Sequence, residues 1–196
     1  MEIKEFKSFR DYDRKFVKVT NIGAETKKSL KIEKIEEPIF GVLYIDKSNG
    51  ITLRILGNET SEIKDEVILL RANAFGKANF EIFKGNDYLK DVLYTQINKL
   101  YYDKNREELL ADKNLDEFRH EEYPDDVMAI LPNDNQPESM WVRLLKKTDE
   151  DNLYIAKLLD DSYVDKNYFA GITVALMLYE EDDFKGLIIN GLVKMV

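Results

Sequence analysis

Residues 124–183 read PDDVMAILPNDNQPESMWVRLLKKTDEDNLYIAKLLDDSYVDKNYFAGITVALMLYEEDD and hold the only tryptophan and the strongest strand pattern of the chain. Val127 to Leu131 is a short apolar run, and Trp141, Arg143 and Leu145 alternate with Val142 and Leu144 at the period of two that strands require. After the polar turn Thr148-Asp149-Glu150-Asp151-Asn152, Leu153 to Leu159 supplies the returning strand of a hairpin. Gly171 opens Ile172 to Tyr179, apolar on both faces, which suits a buried central strand or a short buried helix. The β-branched Ile172, Thr173 and Val174 favour the strand. Leu187-Ile188-Ile189 and Leu192-Val193 flank Asn190-Gly191, the spacing of a tight two-residue turn. These signals predict a small, mostly β module over residues 121–196.

Upstream the signals are strand first and helix second. Phe16-Val17-Lys18-Val19, Leu30 to Ile35 and Phe40 to Ile45 are β-favouring runs, and Ile51, Leu53 and Ile55 alternate with Thr52 and Arg54, predicting one buried face. Asp46-Lys47-Ser48-Asn49-Gly50 lies between the last two, and its Asn-Gly pair tolerates the positive φ angles that reverse a hairpin. Val67 to Leu70 and Asn79 to Phe83 add strands. From Asn86, a predicted cap, Leu89, Val92, Leu93, Ile97 and Leu100 recur at helical spacing. A second, shorter helix is predicted from Asn105, with Glu108 three residues on as a capping box, through Leu109, Leu110, Leu115 and Phe118. The charged, proline-punctuated run His120 to Asp126 marks the boundary between an amino-terminal domain, 1–120, and a carboxyl-terminal one, 121–196. The fold class predicted is α+β: a mostly antiparallel sheet with one long amphipathic helix and one short helix, followed by the small β module.

Composition bounds the function. At 196 residues, with 44% hydrophobic, 11% aromatic and 34% charged residues, the chain is long and apolar enough to bury a core. No run approaches the ~18 to 20 apolar residues of a membrane span, and MEIKEFKSFR lacks the apolar core of a secretory signal. With no cysteine in the sequence, this points to the cytoplasm. Net charge is −9, and residues 1–50 hold eleven Lys/Arg against nine Asp/Glu, so the balance downstream is −11. Such a field repels nucleic-acid phosphates and speeds association with a basic protein, although a solvated acidic surface that maintains solubility has the same composition.

The side-chain inventory removes several chemistries. Thiolate catalysis and thiolate metal sites need cysteine. His120 is the single histidine; Glu121 or Glu122 could orient it as a general base, but its charged surroundings suit an ordinary exposed residue. Carboxylates at Asp149 to Asp151, Asp160-Asp161 and Glu180 to Asp183 suit hard cations, yet none has the spacing of a calcium loop, and solvated turns explain them. No glycine-rich phosphate loop is present. Neither catalytic residues, a cofactor nor a metal is therefore expected. Tyr94, Tyr101 and Tyr102, with Lys99, Lys104 and Arg106, could stack on bases, but Asp103, Glu107 and Glu108 oppose this, and tyrosines on an amphipathic helix usually cover a core edge. Trp141 reads as a sheet-face or core residue.

The order Pro124-Asp125-Asp126-Val127, Met140-Trp141-Val142-Arg143, Leu158-Leu159-Asp160-Asp161, Gly171-Ile172-Thr173-Val174 resembles small bacterial β domains of unknown function. These tend to read P-D-D-hydrophobic, M-W-V-x-V, G-x-L-x-N-D-P and G-D-x-V-x-F. The resemblance covers the last third of the chain. Ala156 stands where a glycine is usual, and Ser162-Tyr163 where Asp-Pro or Glu-Pro is. Such domains are similar to accessory and immunity-type proteins, so the resemblance implies protein binding rather than catalysis and transfers no catalytic residue.

The expectation is a non-enzymatic protein that binds a basic protein partner through Asp149, Glu150, Asp151, Asp160 and Asp161, acids in turns that strands hold rigid. Two alternatives stay open. One is a small-molecule-binding protein or enzyme with a pocket in the β module, drawing on Arg143, Tyr154, Asp160 and Tyr163. The other is an inhibitor that mimics nucleic acid.

Overall fold

The computed structural model describes residues 9–57, 68–85, 87–134, 136–181 and 183–193, an α+β chain that divides into two compact units. The first comprises residues 1–102 with 121–123, and the second residues 103–120 with 124–196. Residues 103–120, read above with the amino-terminal half, thus pack with the β module.

The first unit is built on β1 (Lys15–Thr20), α1 (Ala24–Ser29), β2 (Ile39–Asp46), β3 (Gly50–Gly57), β4 (Ile68–Arg71), β5 (Asn79–Ile82) and α2 (Asp87–Tyr101). Its antiparallel sheet has the order β4-β3-β2-β1-β5. The hairpin at Asn49-Gly50 forms. Asp46 pairs with Gly50 across the turn, and the Asp46 carboxylate accepts the amides of Ser48 and Asn49, so the reversal is an Asx-type loop closed by Gly50 at φ +69. The Gly50 backbone lies so close to residue 122 that a Cβ there would stand 2.0 Å from the Glu122 carbonyl oxygen, which accepts the Ile51 amide at 2.9 Å.

Two expectations are corrected in this unit. The sheet buries both faces, not one. Phe16, Val42, Tyr44 and Leu56 pack with Ile97 of α2 on one side, while Val17, Val19, Ile39, Leu43, Leu53 and Ile55 are buried on the other. At about 1.5–3 kcal/mol per buried aliphatic side chain, this two-sided burial is the unit's main source of stability. Leu30 to Ile35 is not a strand but the cap of α1 and the turns that follow it. Lys31 turns left-handed at φ +58, its amide bonds back to Lys28 and that of Ile32 to Lys27, a two-bond helix stop that turns Ile32 into the core. α1 itself buries nothing, so its sequence has no apolar stripe to betray it. The predicted cap Asn86 and the residue Val67 lie outside the described residues.

The second unit begins with α3 (Lys104–Ala111) and a 3-10 turn (Lys113–Phe118) and continues as β6 (Asp126–Leu131), β7 (Glu138–Lys147), β8 (Leu153–Leu158), β9 (Thr173–Glu181) and β10 (Phe184–Leu192). The single helix predicted from Asn105 is two elements. Asp103, not Asn105, caps the first through the Arg106 amide, and Asp112 caps the second through the Asn114 amide. The strands close a barrel in the order β10-β6-β7-β8-β9, antiparallel except where β10 meets β6 at Ile188 and Ile130. Alternate residues fill its interior, among them Val127, Met140, Val142, Tyr154, Ala156, Leu176 and Leu187, joined by Leu109 and Leu115 from the helical segment. Asn190-Gly191 is a β-bulge within one continuous β10, with Gly191 at φ +142, rather than a turn between two strands. Nor is β9 apolar on two buried faces: Val174, Leu176 and Leu178 point inward, whereas Met177 and Tyr179 are 37% and 40% exposed.

Candidate acidic surface and its supports

The Pro124-Asp125-Asp126 triplet that opens the β module is held residue by residue. Arg119 donates to the Pro124 carbonyl, Arg106 forks onto the Asp125 carboxylate, and Arg143 grips both oxygens of Asp126 at 2.7 and 2.9 Å. Arg106 and Arg119 keep only 7% and 1% of their side chains exposed, so the basic patch to which Arg106 was assigned does not include it. A guanidinium fork fixes a carboxylate in plane as well as in distance, which sets how the chain enters β6. This motif is a structural clamp.

His120 is not an exposed linker residue. It is half-buried, its ring stands edge-on to Trp141 with centroids 5.0 Å apart, and its amide donates to the Asp126 carbonyl. Trp141 sits on the outer side of β7, as a sheet-face residue. In the first unit Tyr94, Tyr101 and Tyr102 pack against the sheet cluster; the Tyr94 hydroxyl donates to the Arg14 carbonyl, and the Tyr102 hydroxyl donates to Asp13 while accepting the Ile45 amide. Their rings and hydroxyls serve the core edge.

The five predicted partner contacts separate into two groups. Asp149, Glu150 and Asp151 are exposed on the β7–β8 turn, shaped by Asn152 at φ +60 and by the Thr148 hydroxyl, which accepts the Glu150 amide. Asp160 and Asp161 are exposed beyond the far end of β8, and the six residues of that strand hold the two groups about 20 Å apart. Asp161 accepts the Ala170 amide at 2.8 Å and so braces its own loop. Glu138 steadies the same loop by accepting the Ser162 hydroxyl and the Tyr163 amide.

What the sequence did not reveal is that the turn at 149–151 has acidic neighbours from another hairpin. Leu153 pairs with Met177, so the carboxyl end of β9 lies beside the start of β8, and Glu181 and Asp183 of the β9–β10 turn share that end of the barrel. Both are exposed and, like Asp149 to Asp151, form no ion pair among the described residues. Arg143, Tyr154, Asp160 and Tyr163 are not brought together: Arg143 is paired to Asp126, Tyr154 is buried inside the barrel, and Tyr163 is 97% exposed. Among the described residues no three carboxylate or histidine groups are placed to hold a metal ion, and no helix is long and apolar enough to cross a membrane.

Beneath the acidic end, Asp112 accepts Lys147 Nζ and the Tyr154 hydroxyl, each at 2.9 Å, and the Asn114 amide at 3.1 Å. Burial works to raise its pKa, but the bonds from Lys147, Tyr154 and the Asn114 amide together prevail and hold it below the usual 3.8. Burial, and then the bond to Asp112, pushes the Tyr154 hydroxyl above its ordinary value of 10. A depressed carboxylate stabilises the fold above its unfolded pKa and ceases to as pH falls through the folded one. Asp112→Asn is therefore expected to cost about 1–3 kcal/mol above about pH 5, in urea titrations followed through Trp141, with the gap to the parent closing below the usual 3.8. A gap of constant size across that range would show that the charge on Asp112 is not what holds the cluster.

Comparison with protein-family models, with curated proteins and with solved structures finds no match.

Proposed function

We propose that this is a non-catalytic, cytoplasmic protein that binds a basic protein partner, in the manner of immunity or antitoxin proteins, through the acidic end of its barrel. The observation that supports the reading most is the convergence of two hairpin turns, one presenting Asp149, Glu150 and Asp151 and the other Glu181 and Asp183, all exposed and outside any ion pair among the described residues. Carboxylates that form no ion pair among the described residues are available to pair with a partner, and the hairpins beneath limit the entropy lost when they do. The −11 balance downstream of residue 50 adds a field that draws a basic partner from a distance. Asp160 and Asp161, at the opposite end of β8, are candidates for a separate contact, Asp160 with a carboxylate outside any internal bond among the described residues and Asp161 already engaged by its loop. The resemblance of the last third of the chain to accessory β domains points the same way.

The test is kinetic. Asp149→Asn, Glu150→Gln and Asp151→Asn together are expected to slow association with a basic partner, recovered by affinity capture, about tenfold at low salt, with the melting temperature unchanged because the turn forms no ion pair among the described residues. Association of the parent should slow as salt rises, the screening length being about 8 Å near physiological ionic strength. A salt-independent association rate, or one indifferent to the triple substitution, would refute this reading.

A further inference from the structure

Across the outer wall of the barrel the strand register lines up Ile130, Ile188, Met177 and Leu153, one residue from each of β6, β10, β9 and β8. Toward the acidic end this row is continued by Tyr179 and Phe184, whose ring centroids stand 6.1 Å apart. Gly186 faces Tyr179 across the strand pair, and the Phe184 ring occupies the space a Cβ on Gly186 would need. The result is a continuous apolar strip on a wall that in most soluble domains is polar, with Met177, Tyr179 and Phe184 37%, 40% and 45% exposed. Aromatic and methionine side chains in such a strip are the types that anchor protein interfaces, and Met adapts to an irregular partner.

Charge decides what the strip receives. Its aromatic end meets the exposed carboxylates directly: Glu181 stands opposite Phe184 in register, and Leu153 follows the turn that presents Asp149 to Asp151. A second copy of this chain would set those carboxylates against its own, a like-charge contact that costs free energy. We infer that the strip is the apolar centre of the partner interface and that it seats an amphipathic segment of a basic protein, with apolar side chains on Met177, Tyr179 and Phe184 and flanking Lys or Arg over Glu181 and Asp149 to Asp151. This deepens the partner-binding reading and rests on it: the acids would set the rate of encounter, and the strip the lifetime of the complex.

The probe is a synthetic amphipathic helical peptide of about four turns with leucine along one face and lysine on its flanks. Two companions carry glutamate in place of lysine, or serine in place of leucine. Fluorescence anisotropy should show the leucine–lysine peptide binding the parent. Met177→Ser combined with Tyr179→Ser should weaken it at least about tenfold through faster dissociation, whereas the triple amide variant acts on association. Phe184→Ser provides an independent lesion should the double variant unfold. If the leucine–lysine and serine–lysine peptides bind alike and Met177→Ser/Tyr179→Ser and Phe184→Ser change nothing, the strip is not the interface although the acidic reading stands. If the leucine–glutamate peptide binds as well as its lysine counterpart, or none binds, the acidic reading and this inference fall together. Self-association of the parent, abolished by Met177→Ser/Tyr179→Ser in sedimentation, would assign the strip to a second copy and overturn the inference.

Discussion

Replacing Arg119 with methionine is expected to destabilise the second unit by about 3–5 kcal/mol, the cost of removing the buried member of a charged network. Only 1% of its side chain is exposed, and the acceptors of its guanidinium include the Pro124 carbonyl, the Leu109 carbonyl at 2.6 Å and Asp116 at 3.4 Å. Methionine fills much of the volume but donates no hydrogen bond. Two carbonyls would lose this charged donor and a carboxylate its ion pair. The effect is directly readable, since Trp141 is the only tryptophan and lies in this unit, so urea unfolding followed by its fluorescence reports the barrel. Arg143→Met is the comparison. It removes a bidentate pair of similar geometry, and although 38% of the arginine side chain is in water, the Asp126 carboxylate it leaves is buried, so the loss should be about 1–3 kcal/mol, smaller than at Arg119. Equal losses at the two sites would show that burial is not what makes Arg119 matter.

A second large effect is expected at Gly50. An alanine there adopts the left-handed conformation at about 1–2 kcal/mol, and its Cβ would meet the Glu122 carbonyl oxygen at 2.0 Å, a backbone atom that no side-chain rotation can move aside. Either the hairpin flattens or residues 121–123 move away from it and the Ile51–Glu122 hydrogen bond breaks. Together these should cost the first unit about 3 kcal/mol. Far-UV circular dichroism in urea measures the loss, and hydrogen exchange at the Ile51 amide locates it. An unchanged midpoint with Ile51 still protected would mean that this close approach contributes nothing to the fold.

Where a signal lies within a few neighbouring residues, the chain was readable. The β2–β3 and β7–β8 hairpins follow from Asn49-Gly50 and from the polar run at 148–152, because strand alternation and turn chemistry are both local. α2 follows from its apolar spacing. The losses occur where a distant partner decides. Asn190-Gly191 has turn chemistry, yet β9 extends far enough to pair on both sides of it, and the dipeptide becomes a bulge. Leu30, Ile32 and Ile35 have strand-like residues, but α1 ends there and a helix stop uses Ile32 instead. At the site, the exposure of Asp149 to Asp151 was legible from composition and spacing. That Arg106, Arg119 and Arg143 are clamps was not, since each looks like surface charge until the fold brings it to an acceptor as much as 19 residues away.

Closure of the barrel limits the ways in which anything can bind it. An open sheet offers edge amides and carbonyls to any extended peptide, which pairs with little regard for sequence. In the second unit the described strands close on themselves, β10 meeting β6 at Ile188 and Ile130. Closure leaves less backbone for strand addition than an open sheet does, and recognition falls more to side chains that point outward or crown the turns. Selectivity in such a module is written in residues that can be exchanged without disturbing the backbone. Such a barrel can therefore hold its shape while its outward side chains vary.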